Sequence, residues 1–232
     1  MNLLSTFKTI VETAQAHPTW ADMAATKEDS PWHREDSVAI HTVMVMDEYF
    51  MQLAASGETT LTRSALLGAI ACLFHDFGKP VCRVVKFKPE RGHYNAFHGH
   101  EIVSARMWED FAAVNWNTLF APVGVSPTDI AKVGLMIEHH LPYDTKDQTK
   151  RKQLALTIIE YFGDATTFIS VLKADTWGRI SDDHPVKKEK VANWCFDFTL
   201  LCETIKAAPE KEAAATLRAD EFSNEQWNEV EY

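Results

Sequence analysis

Apolar residues recur three and four positions apart along most of the chain, the repeat of one face of an α-helix. The pattern predicts helices near 2–16, 36–56, 61–76, 99–113, 128–140, 151–162, 164–177 and 187–207, and hence an all-α fold. Polar and helix-breaking residues fall where those helices should start and stop. Asp36 or Ser37 can cap the second, Thr62 the third and Pro127-Thr128 the fifth, while Gly57, Gly78 and Gly163 follow helical stretches. Residues 65–74 form the longest apolar run, about half of the roughly 20 residues a membrane span needs, and read as a core helix.

Two stretches break the helical repeat. From Val81 to Phe97, Val84, Val85 and Phe87 alternate with Arg83, Lys86 and Lys88 before Pro89 and Arg91-Gly92, which predicts a loop or short hairpin inserted near 81–97. A polar loop from Asp144 to Lys152 gathers Lys146, Lys150, Arg151 and Lys152. After Ala207 the tail is acidic and weakly helical, and is expected to pack at the edge or fray. The whole reads as a single domain over 1–232, with a core at about 30–180, a helical N-terminal extension at 1–29 and a C-terminal helical extension at 181–232.

Composition narrows the function. With 46% hydrophobic and 24% charged residues among 232, the chain matches an ordinary soluble globular protein. Its formal charge of −10 opposes binding along an extended nucleic-acid duplex, but a small phosphorylated ligand stays open, since a bound metal would add local positive charge. Cys72, Cys82, Cys195 and Cys202 form no CxxC pair or disulfide-rich spacing, so a reducing cytoplasm is expected. The segment 1–16 lacks the basic start and apolar block of a secretory signal, and no membrane partner is expected. Seven tryptophans could support self-association, without defining an oligomeric state.

The chemistry lies in the histidines and their neighbours. His75-Asp76 stands where the apolar run meets the breaker Gly78-Lys79-Pro80, so both side chains emerge at the end of a buried element. A carboxylate buried there needs a cation or several donors, and a divalent metal held by imidazole nitrogen and carboxylate oxygen satisfies both residues. Alone, His41 reads as a hydrogen-bonded core histidine, Asp175 as a helix-end surface residue and His139-His140 as a solvated helix end. The ordered set of His41, His75-Asp76, His98-Gly99-His100-Glu101, Glu138-His139-His140 and Asp175, each on a separate predicted helix or helix end, favours a shared site.

These stretches resemble the HD-domain phosphohydrolases, named for an adjacent His-Asp pair, and are most similar to the HD domain of bacterial tRNA nucleotidyltransferases. The resemblance runs over about 30–180. It rests on Trp32-His33-Arg34-Glu35 through Ile40-His41-Thr42, on Phe74-His75-Asp76-Phe77-Gly78-Lys79-Pro80, on Phe97-His98-Gly99-His100-Glu101, on Glu138-His139-His140 and on Ala174-Asp175-Thr176-Trp177-Gly178-Arg179. No Gly-Ser with a following Asp-x-Asp strand is present, so the nucleotidyltransferase head and its polymerising activity are not implied.

The resemblance implies a helical HD bundle in which His41, His75, Asp76 and Asp175 ligate one divalent metal (Mn, Ni, Co, Mg, Fe or Zn). A second ion would recruit His100 and either His139 or His140, with Asp76 bridging. His33 and His98 are candidate phosphate contacts; Lys79 and Arg179 could stabilise charge on phosphate oxygens. The implied activity is hydrolysis of a small phosphorylated substrate, a nucleotide or RNA-end phosphoester, by metal-activated water, with Asp76, Lys79 and His100 as catalytic candidates. Leu141-Pro142-Tyr143 after the histidine pair, in place of Gly-Tyr-Pro, argues against cyclic dinucleotides. The competing classes are a di-iron oxygenase with the same ligand order and a non-catalytic metal-binding module.

Overall fold

A computed structural model describes residues 3–28, 33–89, 92–142, 147–181 and 184–225. Among the described residues, ten helices and one hairpin follow one another: α1 Leu3–Gln15, α2 Pro18–Ala25, α3 Val38–Ala55, α4 Arg63–Phe74, α5 Lys79–Cys82, β1 Val84–Lys88, β2 Gly92–Ala96, α6 His100–Val114, α7 Pro127–Glu138, α8 Gln148–Phe162, α9 Thr166–Trp177 and α10 His184–Glu225. A wide π-type turn, Trp116–Phe120, and a 3₁₀ turn, Ala121–Val123, join α6 to α7. The fold is the all-α bundle the periodicity predicts.

At its centre α4 is buried on every side from Ala65 to Phe74 and packs against α3, α7 and α9. A helix apolar all round needs apolar surroundings on every side, and here the packed helices supply them. Residues 63–82 are long and apolar enough to cross a membrane, but most of that stretch is buried inside the fold. Phe74 packs its ring on Phe77, Trp108 and Phe111, tying the end of α4 to α6. The His-Asp pair therefore follows directly on the buried end of α4.

Several local expectations are corrected. The pattern does not predict α2, a short helix whose start is set by Pro18 at its first position and by the His17 ring accepting from Thr19 N. Ser37, not Asp36, caps α3, and Ser126, one residue before Pro127, caps α7. Gly78 begins α5 and does not end a helix in the left-handed region. The expected loop or hairpin is an antiparallel pair with Lys86 opposite Tyr94 and Val84 opposite Ala96. Far from stopping near 207, α10 continues to Glu225. In the polar loop, Asp144 and Lys146 lie outside the described residues.

The α7 cap offers a test of stability. Ser126 and Asp129 form a reciprocal capping box, and Arg63 of α4 also donates to Asp129. Burial alone would raise the Asp129 pKa, but donors from Arg63 and Ser126 outweigh it and hold the carboxyl at about 2. A carboxyl depressed in the folded state contributes stability above its unfolded pKa of about 4, lost as pH falls through the folded value. Asp129→Ala should cost about 1–2 kcal/mol near neutrality. Urea titrations should show the gap to the parent shrinking as the pH is lowered to about 3.

Candidate metal centre

Five separate pieces of the fold converge on one point. His41 comes from the first turns of α3, His75 and Asp76 from the end of α4, His100 from the start of α6, His140 from just past α7, and Asp175 from the last turn of α9. All six are buried. Their donor atoms form two groups that share Asp76.

In the first group His41 Nε2 lies 3.4 Å from His75 Nε2 and 3.2 Å from Asp175 Oδ1, while Asp76 Oδ2 is 3.0 Å from His75 Nε2 and 3.5 Å from His41 Nε2. In the second, His100 Nε2 is 3.3 Å from His140 Nε2 and 3.1 Å from Asp76 Oδ1. Each carboxylate oxygen of Asp76 thus faces its own set of imidazoles. Separations of about 3.0–3.4 Å are those between the corners of a coordination shell with bonds of about 2.1 Å.

Backbone carbonyls orient three of the rings. Nδ1 of His75, His100 and His140 donates to Cys72 O, Phe97 O and Ile137 O at 2.7–2.8 Å. A carbonyl only accepts, so these Nδ1 atoms carry protons, and each ring turns its Nε2 inward, where a lone pair not taken by a proton can bind a cation. Lone pairs facing one another beside carboxylates are unfavourable without a cation between them. Neither Asp76 oxygen accepts a hydrogen bond of good geometry, although Lys79 Nζ lies 2.8 Å from Oδ2. The donor set therefore fits one or two divalent ions.

The electrostatics agree with that fit. Burial lowers the His140 pKa, and His100 and His75 lower it further, to about 3, so its Nε2 stays unprotonated. Burial would also lower His41, but Asp175 and Glu35 outweigh it and raise the ring to about 9: with no metal, a proton supplies the positive charge this group demands. Burial opposes ionisation of Asp76 and Asp175, yet His75 and Lys79 beside the first and Arg179 beside the second hold both well below the usual carboxylate range.

The other expected residues divide. Lys79 is buried between Asp76 Oδ2 and Glu28 Oε1, at 2.8 and 2.5 Å. Arg179 Nη2 holds both Asp175 oxygens at 2.6 Å and its Nε donates to Asp175 O, so the guanidinium is committed to that carboxylate. His33 stands edge-on to His41, and exposed His98 meets Lys86 of β1. All four line a cavity of about 340 Å³ whose inner end is Asp76, His100, His140 and Asp175. Of the paired histidines, His140 enters the cluster; half-buried His139 points its ring nitrogens to neither group and lines an adjoining hollow. Arg151 packs over Trp194, away from the cavity rim. A larger apolar groove, about 430 Å³, between α1 and the end of α3 has no metal-ligating group among the described residues.

A sequence model of the family described as HD domain matches residues 38–162, more than half of the chain. The chain belongs to the HD domain family. Members are generally metal-dependent phosphohydrolases and bind divalent metals, which agrees with the paired His/Asp groups. Comparison with curated proteins and with solved structures gives no match.

The matched HD stretch holds His41, His75, Asp76, His100 and His140, whereas Asp175 and Arg179 follow it and two unforeseen carboxylates precede it. Glu35 accepts from Ile180 N at 2.7 Å and has His41 Nδ1 and His33 Nδ1 each at 3.5 Å. Its place between His33 and His41 was a signal; Glu28, in the polar run Lys27-Glu28-Asp29-Ser30, looks like a solvated linker and carried none. Two glycines bring the ligand helices together. A Cβ on Gly78 would lie 2.6 Å from His100 O, and one on Gly178 would lie 2.8 Å from Met44 O.

Glu28 sets the balance of charge on Asp76. Without it, the Lys79 ammonium keeps only Asp76 as a buried partner and competes with a cation for Oδ2. Glu28→Gln should therefore weaken Mn²⁺ binding by about 10-fold or more, the usual scale for outer-shell partners. Calorimetric titration of parent and variant, with melting curves as a control for folding, measures it.

Proposed function

We propose that this HD protein is a phosphohydrolase acting on nucleotide or RNA-end phosphoesters, of 2′,3′-cyclic phosphodiesterase, nucleotidase or phosphatase type. The observation that carries the reading is Asp76, whose two oxygens each face a separate histidine group at the inner end of a cavity large enough for a nucleotide. A divalent ion held there would supply Lewis acidity, lowering the pKa of water and drawing charge from a phosphoryl oxygen. Hydrolysis adds hydroxyl to phosphorus, breaks the P–O ester bond and returns a proton to the leaving oxygen.

The surrounding side chains support this chemistry. Burial would lower the Lys79 pKa, but Asp76 and Glu28 outweigh it and hold it above the ordinary lysine value, so the ammonium stays charged. An ammonium has three N–H groups, so two carboxylate partners leave one for a phosphoryl oxygen. Arg179 holds Asp175 in its ligating position. Tyr94, Phe97 and Leu141 give the cavity an apolar wall suited to a base. Resemblance to the HD domain of tRNA nucleotidyltransferases favours RNA ends among nucleotide substrates. The described cysteines are free thiols, in keeping with a cytoplasmic enzyme.

Elemental analysis, followed by assay with Mn²⁺, Co²⁺, Ni²⁺, Mg²⁺ and Fe²⁺ on 2′,3′-cyclic nucleotides, nucleoside mono- and triphosphates and bis-p-nitrophenyl phosphate, tests the proposal. Metal-dependent release of phosphate or nucleotide is the expected result. Two histidine-rich groups bridged by one carboxylate also suit two irons. Iron as isolated, visible absorbance and no phosphoester turnover would establish that oxygenase reading instead.

A further inference from the structure

The cations nearest the metal centre are already neutralised. Lys79 lies between Asp76 and Glu28, and Arg179 is spread over both oxygens of Asp175. At the mouth of the same cavity the arrangement differs. Lys86 of β1 is part-buried, and its Nζ sits 2.5 Å from His98 Nε2; among the described residues no carboxylate pairs with it. Strand alternation explains the placement: the register sets Lys86 opposite Tyr94 on one face, and both line the cavity.

An ammonium beside a histidine, with no carboxylate to neutralise it, is a receptor for an anion. Its position is tied to the catalytic end, because His98 is two residues from His100 and two residues span at most about 7 Å. From these positions we infer that Lys86 and His98 form a second phosphate subsite and that the substrate is a nucleotide bearing two phosphoryl groups: one at the metal centre, the other on the hairpin, with Tyr94 beside the base. This rests on the phosphohydrolase reading but deepens it, since a single phosphoester would leave the hairpin pair unused.

The test uses the full Mn²⁺-loaded chain. kcat/KM is measured for adenosine 2′,3′-cyclic monophosphate and 3′-AMP, and for their two-phosphate counterparts: adenosine 3′,5′-bisphosphate, ADP and the dinucleotide pApA. Wild type should prefer at least one two-phosphate substrate by about 10-fold, the scale of one charge-assisted contact. Which of the three is preferred distinguishes contiguous phosphates from a bisphosphate or an RNA-like end. Lys86→Glu should abolish or invert the preference through KM, and Lys86→Gln should reduce it, with melting curves confirming that both fold. Equal kcat/KM for one- and two-phosphate substrates in wild type, or a preference that survives Lys86→Glu, overturns the subsite. Should nothing be cleaved, calorimetry with ADP and AMP decides separately: tighter ADP binding lost in Lys86→Glu supports the subsite while the hydrolase reading fails, and equal binding overturns the subsite as well.

Discussion

Asp76→Ala should abolish phosphoester turnover, a fall of about 10³-fold or more, and should also reduce metal content at both histidine groups. The double effect follows from geometry. Oδ2 belongs with His41, His75 and Asp175, and Oδ1 with His100 and His140, so one truncation removes a ligand from each. Lys79 would keep Glu28 as a partner, so the buried ammonium is not stranded and the fold should survive. Asp175→Ala, by contrast, should empty only the first group. Metal stoichiometry by elemental analysis, read beside kcat, separates the two variants. An Asp76→Ala protein with full metal content and undiminished activity would refute the bridging role.

Gly78→Ala and Gly178→Ala should be nearly as damaging, although neither glycine touches substrate. A methyl at Gly78 meets His100 O at 2.6 Å and Ser104 N at 2.8 Å, both backbone atoms of α6 that cannot rotate away. The Gly78 N–H also donates to Ser104 Oγ, at 2.8 Å, which holds α6 close to the end of α4. At Gly178 the same methyl meets Met44 O and Val45 Cα of α3, both at 2.8 Å. Forcing packed helices apart costs roughly 1–3 kcal/mol or more. The metal losses should differ: Gly78→Ala displaces His100 and weakens the second group, whereas Gly178→Ala moves α3 against α9 and weakens the first. Mn²⁺ titration of both variants, with melting temperatures, tests it; loss of stability without selective loss of metal would reduce the glycines to packing alone.

Much of this was legible in residue order. Helix periodicity is a local property, so the eight long helices could be read from spacing, and the apolar run before His75 placed the His-Asp pair at the end of a buried element. The short helices α2 and α5 escaped because four to eight residues do not establish a repeat. His139 and His140 could not be told apart from sequence. They are neighbours on a helix end, and only the Nδ1 bond of His140 to Ile137 O turns its Nε2 toward His100.

By itself, the sequence determined the all-α class, the family resemblance and the residue types able to hold a metal, because each depends on local pattern or on motif. The tertiary structure alone decided which atoms meet. It paired Asp76 with two imidazole groups and joined Glu35 to Ile180. It also brought Glu28 and Glu35 from the segment before α3 to Lys79 and His41. Those contacts join residues up to 145 positions apart, as between Glu35 and Ile180. Distances of that kind are set by how helices pack and not by spacing along the chain.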